Sequence, residues 1–140
     1  MKPQSCKAKG RRFQQQVAGD LLRRFSQLAP DDIRSTSMGA PGEDILLSPA
    51  ARTCIPFSFE VKNHERLNVW SAIEQATANT PAGASSAVVF KKNHMPSYIA
   101  LPWTCFLDML APPQPDAQEE SDKQILGALA AKLVEMAARM

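Results

Sequence analysis

Between Phe57 and Lys62 apolar and polar residues alternate without a break: Phe57, Phe59 and Val61 on one beat, Ser58, Glu60 and Lys62 on the other. A period of two belongs to a strand whose successive side chains point to opposite faces. Glu60 and Lys62 therefore share one face, and the three apolar side chains share the other. A strand with one apolar face needs a layer to bury it, and the flanking patterns supply helices. Phe13, Val17, Leu21 and Phe25 recur every four residues with Leu22 and Leu28 beside them, which predicts an amphipathic helix closed before Pro30 and Asp31-Asp32. Asn68 is a suitable N-cap for a second helix over about Val69–Ala78, one side formed by Trp70, Ile73 and Thr77 with Ala72 and Ala76 flanking.

The remaining segments fit the same class. Ser35 to Gly42 is rich in small residues, glycine and proline and predicts an irregular loop; Asp44–Ser48 predicts a short strand. Pro49–Thr53 predicts a turn into the strand Cys54–Lys62, so that the two strands would pair as a hairpin. Ser86–Lys91 and Ser97–Leu101 predict two further strands around the polar segment Lys92–Pro96, and Pro102–Leu110 a short helix. Ala111–Ser121 is proline-rich and acidic, and Asp122–Met140 carries Ile125, Leu126, Leu129, Leu133, Val134, Met136 and Met140 at helical spacing. The expected architecture is one α/β domain over residues 1–111, a linker over 112–121 and an amphipathic helix over 122–140. That helix can fold back on the core, pair with its copy in a homodimer or hold a partner, and the sequence admits all three.

Composition narrows the functional classes. No apolar run approaches the roughly 20 residues of a membrane-spanning helix, and Met1 to Ser5 lacks the apolar core of a signal peptide, so a cytoplasmic protein without membrane attachment is expected. Cys6, Cys54 and Cys105 show no paired or zinc-ligand spacing; Cys54 and Cys105, set among apolar residues, are expected to be buried, as are Trp70 and Trp103. The net charge of +2 is polarised, with +5 in residues 1–34, zero in 35–107 and −3 in 108–140. A basic N-terminal third suits a polyphosphate partner, and equally a solvated helix face. Lys7, Lys9, Arg11, Arg12, Lys91 and Lys92 are the candidate phosphate contacts, and Ser35 and Ser37 could add hydroxyl or backbone contacts.

The chemistry concentrates at Asp44 and, sixteen residues on, Glu60-Val61-Lys62. If the strands pair, two carboxylates converge. Oxygen ligands of this kind suit a hard divalent cation such as Mg²⁺, with Mn²⁺ able to substitute; the backbone carbonyl of Val61 is a natural third ligand. The Lys62 ammonium, on the Glu60 face, can then offset charge growing on an attacked phosphate. An isolated Glu-x-Lys is also an ordinary surface ion pair. His64, just past this strand, could touch substrate, whereas neither it nor His94 has a partner at metal-ligand spacing.

Four segments give the pattern a context: Lys9-Gly10-Arg11-Arg12-Phe13, Gly42-Glu43-Asp44, Phe59-Glu60-Val61-Lys62 and Trp70 to Ala76. Together they resemble the PD-(D/E)xK nuclease superfamily, in particular its small Holliday junction resolvase-like endonucleases of archaea and bacteriophages. The resemblance implies a restriction-endonuclease-like α-β-β-β-α-β core with an extra C-terminal helix, and hydrolysis of DNA phosphodiesters, most simply in branched DNA, by a Mg²⁺-dependent homodimer that uses no small-molecule cofactor. It implies Asp44 and Glu60 as metal ligands, Lys62 as the catalytic lysine and Gln75 near the site, with Glu43 a second choice to Asp44. One position departs: where the archaeal resolvases carry a metal-binding glutamate in the first helix, this chain has Gln14, which favours one metal over two. Linear duplex or single-stranded DNA as substrate, or a catalytically silent nucleic-acid-binding module, are the alternatives.

Overall fold

The computed structural model describes residues 2–37, 39–111 and 117–140. By its contacts the chain divides into two compact units, residues 1–106 and 107–140. The first opens with α1 (Pro3–Arg24). A short 3-10 turn (Pro30–Asp32) leads into β1 (Ile33–Ser35), which pairs antiparallel with β2 (Ile45–Leu47). Then come α2 (Pro49–Cys54), β3 (Phe57–Asn63), α3 (Val69–Ala78), β4 (Ser85–Lys91), β5 (Tyr98–Ala100) and α4 (Trp103–Leu110), the last crossing into the second unit. A mixed sheet of order β3-β4-β5 forms the centre, β3 parallel to β4 and β5 antiparallel to it. The α/β class expected from the alternating patterns is therefore observed.

Alternation on β3 sets the layers. Phe59 and Val61 bury against Phe13, Val17 and Ala18 of α1, in a core completed by Ile33, Ile45, Ala51, Ile55 and Ala87. On the other face, Ala72 and Ala76 of α3 pack with Val88 of β4. Small side chains let this helix approach the sheet closely. They, and not Trp70, form its buried face: Trp70 is 77 % exposed, and Trp103 is 68 % exposed. Neither tryptophan is the core anchor that its apolar neighbours suggested, because helical phase at a single position is set by the layer it meets.

Other expectations also change. The stretch after Leu28 holds β1, a strand too short for its own pattern to be visible. Pro49–Cys54 is helical, not a turn. Its start is set by Ser48, whose hydroxyl accepts from the Ala51 N–H at 3.1 Å and donates to Asp32 at 2.7 Å, with Pro49 pre-set for the first turn. With a helix between them, β2 and β3 form no hairpin. Cys54 and Cys6 are exposed and Cys105 is half-buried.

The second unit contains α5 (Ala117–Ala138), which starts before the expected Asp122 and so takes in part of the expected linker; residues 112–116 lie outside the described residues. Leu126, Leu129, Leu133, Met136 and Met140 follow one another at alternating three- and four-residue steps, and all are exposed. This is the spacing of a coiled-coil seam. No helix among the described residues is long and apolar enough to cross a membrane.

Candidate active site

At the carboxyl end of β3, where parallel strands commonly present ligand sites, a cavity of about 700 Å³ opens between α1, the loop before β2, and α3. Its lining brings together Gln14, Asp44, Glu60, Val61, Lys62 and Gln75, which the chain spreads over some sixty positions. Asp44 arrives without hairpin pairing. Its backbone N–H donates to the Phe59 carbonyl at 3.2 Å, and its carboxylate accepts the Val61 N–H at 2.8 Å. A side chain thus substitutes for a ladder bond and fixes Asp44 beside Glu60.

The neighbouring Glu43 is engaged elsewhere. Arg52 of α2 donates to it at 2.7 Å and to the Phe57 carbonyl at 3.0 Å, tying the loop before β2 to the start of β3. Asp44, and not Glu43, therefore reaches the cavity.

Glu60 is 2 % exposed, and its partner is Lys62, whose Nζ lies 3.0 Å from Glu60 Oε1 and donates to Gln75 Oε1, also at 3.0 Å. The ammonium is held from two elements, so strand alternation places it and α3 aims it. Burial raises the Asp44 carboxyl above the ordinary range, opposed by the Val61 N–H and the Lys62 charge. Burial, then the Asp44 charge, raises Glu60, with Lys62 opposing. Two adjacent carboxyls raised by desolvation, Glu60 also by the Asp44 charge, form a site that a cation would relieve. His64 is held below its ordinary value, by burial first and then by Lys62 and Lys9.

Gln14 supplies an independent sign. Its side chain is 5 % exposed, and its Oε1 is buried without a hydrogen-bond partner among the described residues. Buried amide oxygens are rarely left so, and Gln14 lines the same cavity as the two carboxylates, as does Asn63, whose Oδ1 is likewise without a partner among the described residues. The donor set of two carboxylates, an amide oxygen and nearby backbone consists of hard oxygens, which fits Mg²⁺ or Mn²⁺ completing its shell with water. Among the described residues no group of three or more His, Cys, Asp or Glu side chains is placed to hold a metal.

The candidate phosphate contacts separate. Lys9 lines the cavity and lies 3.7 Å from Glu65. Arg12 and Lys91 line an adjoining pocket with Lys9 and Asn63, and Lys91 sits over the Phe13 ring. Lys92 lines a third hollow. Lys7 and Arg11 are exposed on α1 and line none of these. Ser35 is committed to pairing with Ile45, and the Ser37 carbonyl accepts from Ala40; neither lines the cavity. Arg66 and Asn63 line it and were not singled out from sequence.

No family model, curated protein or solved structure matches this chain.

Proposed function

We propose that the protein is a divalent-metal-dependent DNA endonuclease of the PD-(D/E)xK type that cuts branched DNA as a homodimer. The observation that carries this reading is the convergence of Asp44, Glu60 and Lys62 in one cavity from separate segments, with Lys62 held by both Glu60 and Gln75. The order α1, β1, β2, β3, α3, β4, with α2 inserted, is compatible with the α-β-β-β-α-β core of that superfamily.

Asp44 and Glu60, with Gln14 Oε1 and the Val61 backbone alongside, would hold the cation, which when bound supplies Lewis-acid polarisation of a phosphoryl oxygen and a more acidic water. Lys62 places a positive charge where the attacked phosphate gains negative charge, and an ammonium already fixed by two acceptors needs little reorganisation to do so. His64, kept neutral beside it, can take up a proton. Lys9 and Arg66 at the rim attract the phosphate backbone. The exposed three-four seam of α5 supports self-association, and a two-fold substrate such as a four-way junction needs two such sites.

The test is cleavage of a labelled four-way junction and its component duplexes with Mg²⁺ or Mn²⁺, comparing wild type with Lys62→Ala. Paired junction nicks, lowered at least about 10²-fold in the variant with DNA binding kept, are expected. Equal cutting of junction and duplex would remove the branched-DNA specificity, and undiminished cutting by Lys62→Ala would remove the assignment itself.

A further inference from the structure

Across the central sheet one row of side chains leads away from the catalytic lysine. Lys62 of β3 is the register partner of Phe90 of β4, and Phe90 is the partner of Tyr98 of β5. Register partners share a face, and strands lie about 4.8 Å apart, so Tyr98 stands roughly 10 Å from Lys62 along the row. The two rings are stacked, with centroids 6.2 Å apart.

Tyr98 lies on a sheet-edge strand and is 56 % exposed. Beside it a hollow of about 240 Å³, lined among others by Leu67, Phe90, Met95 and Tyr98, shares His64 and Glu65 with the candidate catalytic cavity. Its rim carries Lys92; Lys91 also lines it, but its ammonium sits over the Phe13 ring of α1 on the opposite face of the sheet. The one carboxylate on that rim, Glu65, is already engaged by the Asn93 N–H at 2.9 Å and by Lys9. The hollow therefore presents two aromatic rings, further apolar side chains and the Lys92 cation, and it shares two lining residues with the candidate site. Aromatic faces with flanking cations are what single-stranded nucleic acid stacks against, because every base has a π-face and every link a charge.

We propose that the Phe90–Tyr98 hollow receives one unpaired base of the DNA strand being cut, so that the enzyme acts where a base next to the scissile phosphate is free of its partner. This rests on the nuclease reading and names its substrate: a single strand, a flap or a junction with an unpaired base at its branch point, in preference to continuous duplex. A base held within a duplex cannot enter without being flipped out, which requires unstacking and unpairing energy that a free base does not.

The experiment measures binding, with Ca²⁺ in place of Mg²⁺, of a short single-stranded oligonucleotide containing one 2-aminopurine, beside the blunt duplex of the same sequence. The single strand is expected to bind more tightly, with 2-aminopurine fluorescence quenched by stacking. Tyr98→Ala should weaken single-strand binding about 5- to 150-fold and leave duplex binding unchanged, whereas Tyr98→Phe should bind as wild type. Because Tyr98 is exposed, both variants should melt like the parent. An abasic oligonucleotide gives the same contrast on the unaltered protein. Duplex binding as tight as single-strand binding, or indifference to both Tyr98→Ala and the abasic site, overturns the proposal. The nuclease reading fails separately: cutting would survive in Lys62→Ala while the binding contrast persisted.

Discussion

Asp44 and Glu60 hold their protons more tightly in the folded protein than carboxyls do in an unfolded chain, and the consequence for stability has a definite sign. For such groups the native state binds more protons than the unfolded state. Their contribution is complete below the ordinary carboxylate range and is lost as pH rises through the raised native values. Through these two groups the metal-free protein should lose stability as the pH leaves the acid range, whereas Asp32 and Glu65, whose carboxyls are held below the ordinary range, contribute in the opposite sense. Asp44→Asn keeps an oxygen for the Val61 N–H while removing one buried charge. In EDTA at about pH 8 it should melt at or above wild type, with the difference closing near pH 4. Mg²⁺ should raise the melting temperature of wild type by a few degrees at about pH 8, much less at about pH 5, and not at all in Asp44→Asn. Scanning calorimetry at both pH values checks this; a Mg²⁺ shift that survives in Asp44→Asn would place the cation elsewhere. Much of this site was legible in the residues themselves. Alternation on β3 put Glu60 and Lys62 together, and the type of residue at 44 suggested a ligand. Nothing local could show that Gln14, in a glutamine run on α1, is the one of three whose amide is buried at the cavity.

At the scale of elements, α2 positions the site from behind. It replaces the expected turn, and through Arg52 it fastens both Glu43 and the start of β3, so that Asp44, one residue on, is delivered to Val61. The helix depends on its cap, since the Ser48 hydroxyl serves the Ala51 N–H and Asp32 together. Ser48→Ala should lower stability by about 1–2 kcal/mol, read as a lower urea midpoint at unchanged slope. It should also weaken metal binding while Glu60 and Lys62 stay in place. No loss of stability would mean that Pro49 and packing of Ala51 set this helix without the cap. Six residues opening Pro-Ala-Ala after a serine cap resemble a turn as much as a helix, because so short an element is decided by what its ends can reach. The longer α1 and α3 were legible, although the buried side of α3 was not: Ala72 and Ala76 face the sheet because only small side chains permit that approach, whereas hydrophobicity alone favoured Trp70.

At the scale of the whole molecule, two units carry different burdens. Residues 1–106 contain the buried core and every residue of the candidate site, and α5 carries an exposed apolar seam. Deleting the chain after Leu110 should therefore leave the core's cooperative melting and Mg²⁺ response intact and reduce the mass in solution from dimer to monomer, as light scattering would read. A truncated protein that remains dimeric would move the interface to residues 1–110. The amino-acid sequence by itself determined the α/β class, the two amphipathic helices and the division of β3 into a face carrying Glu60 and Lys62 and a face carrying Phe59 and Val61, because periods of 2 and 3.6 are local properties of the backbone. Tertiary structure alone decided that β2 pairs with β1, that Asp44 joins β3 through its carboxylate, that Gln14 is buried and Trp70 is not, and that Lys62, Phe90 and Tyr98 stand in one row. These depend on contacts between residues far apart in the chain, and such contacts are settled by which surfaces can be buried together.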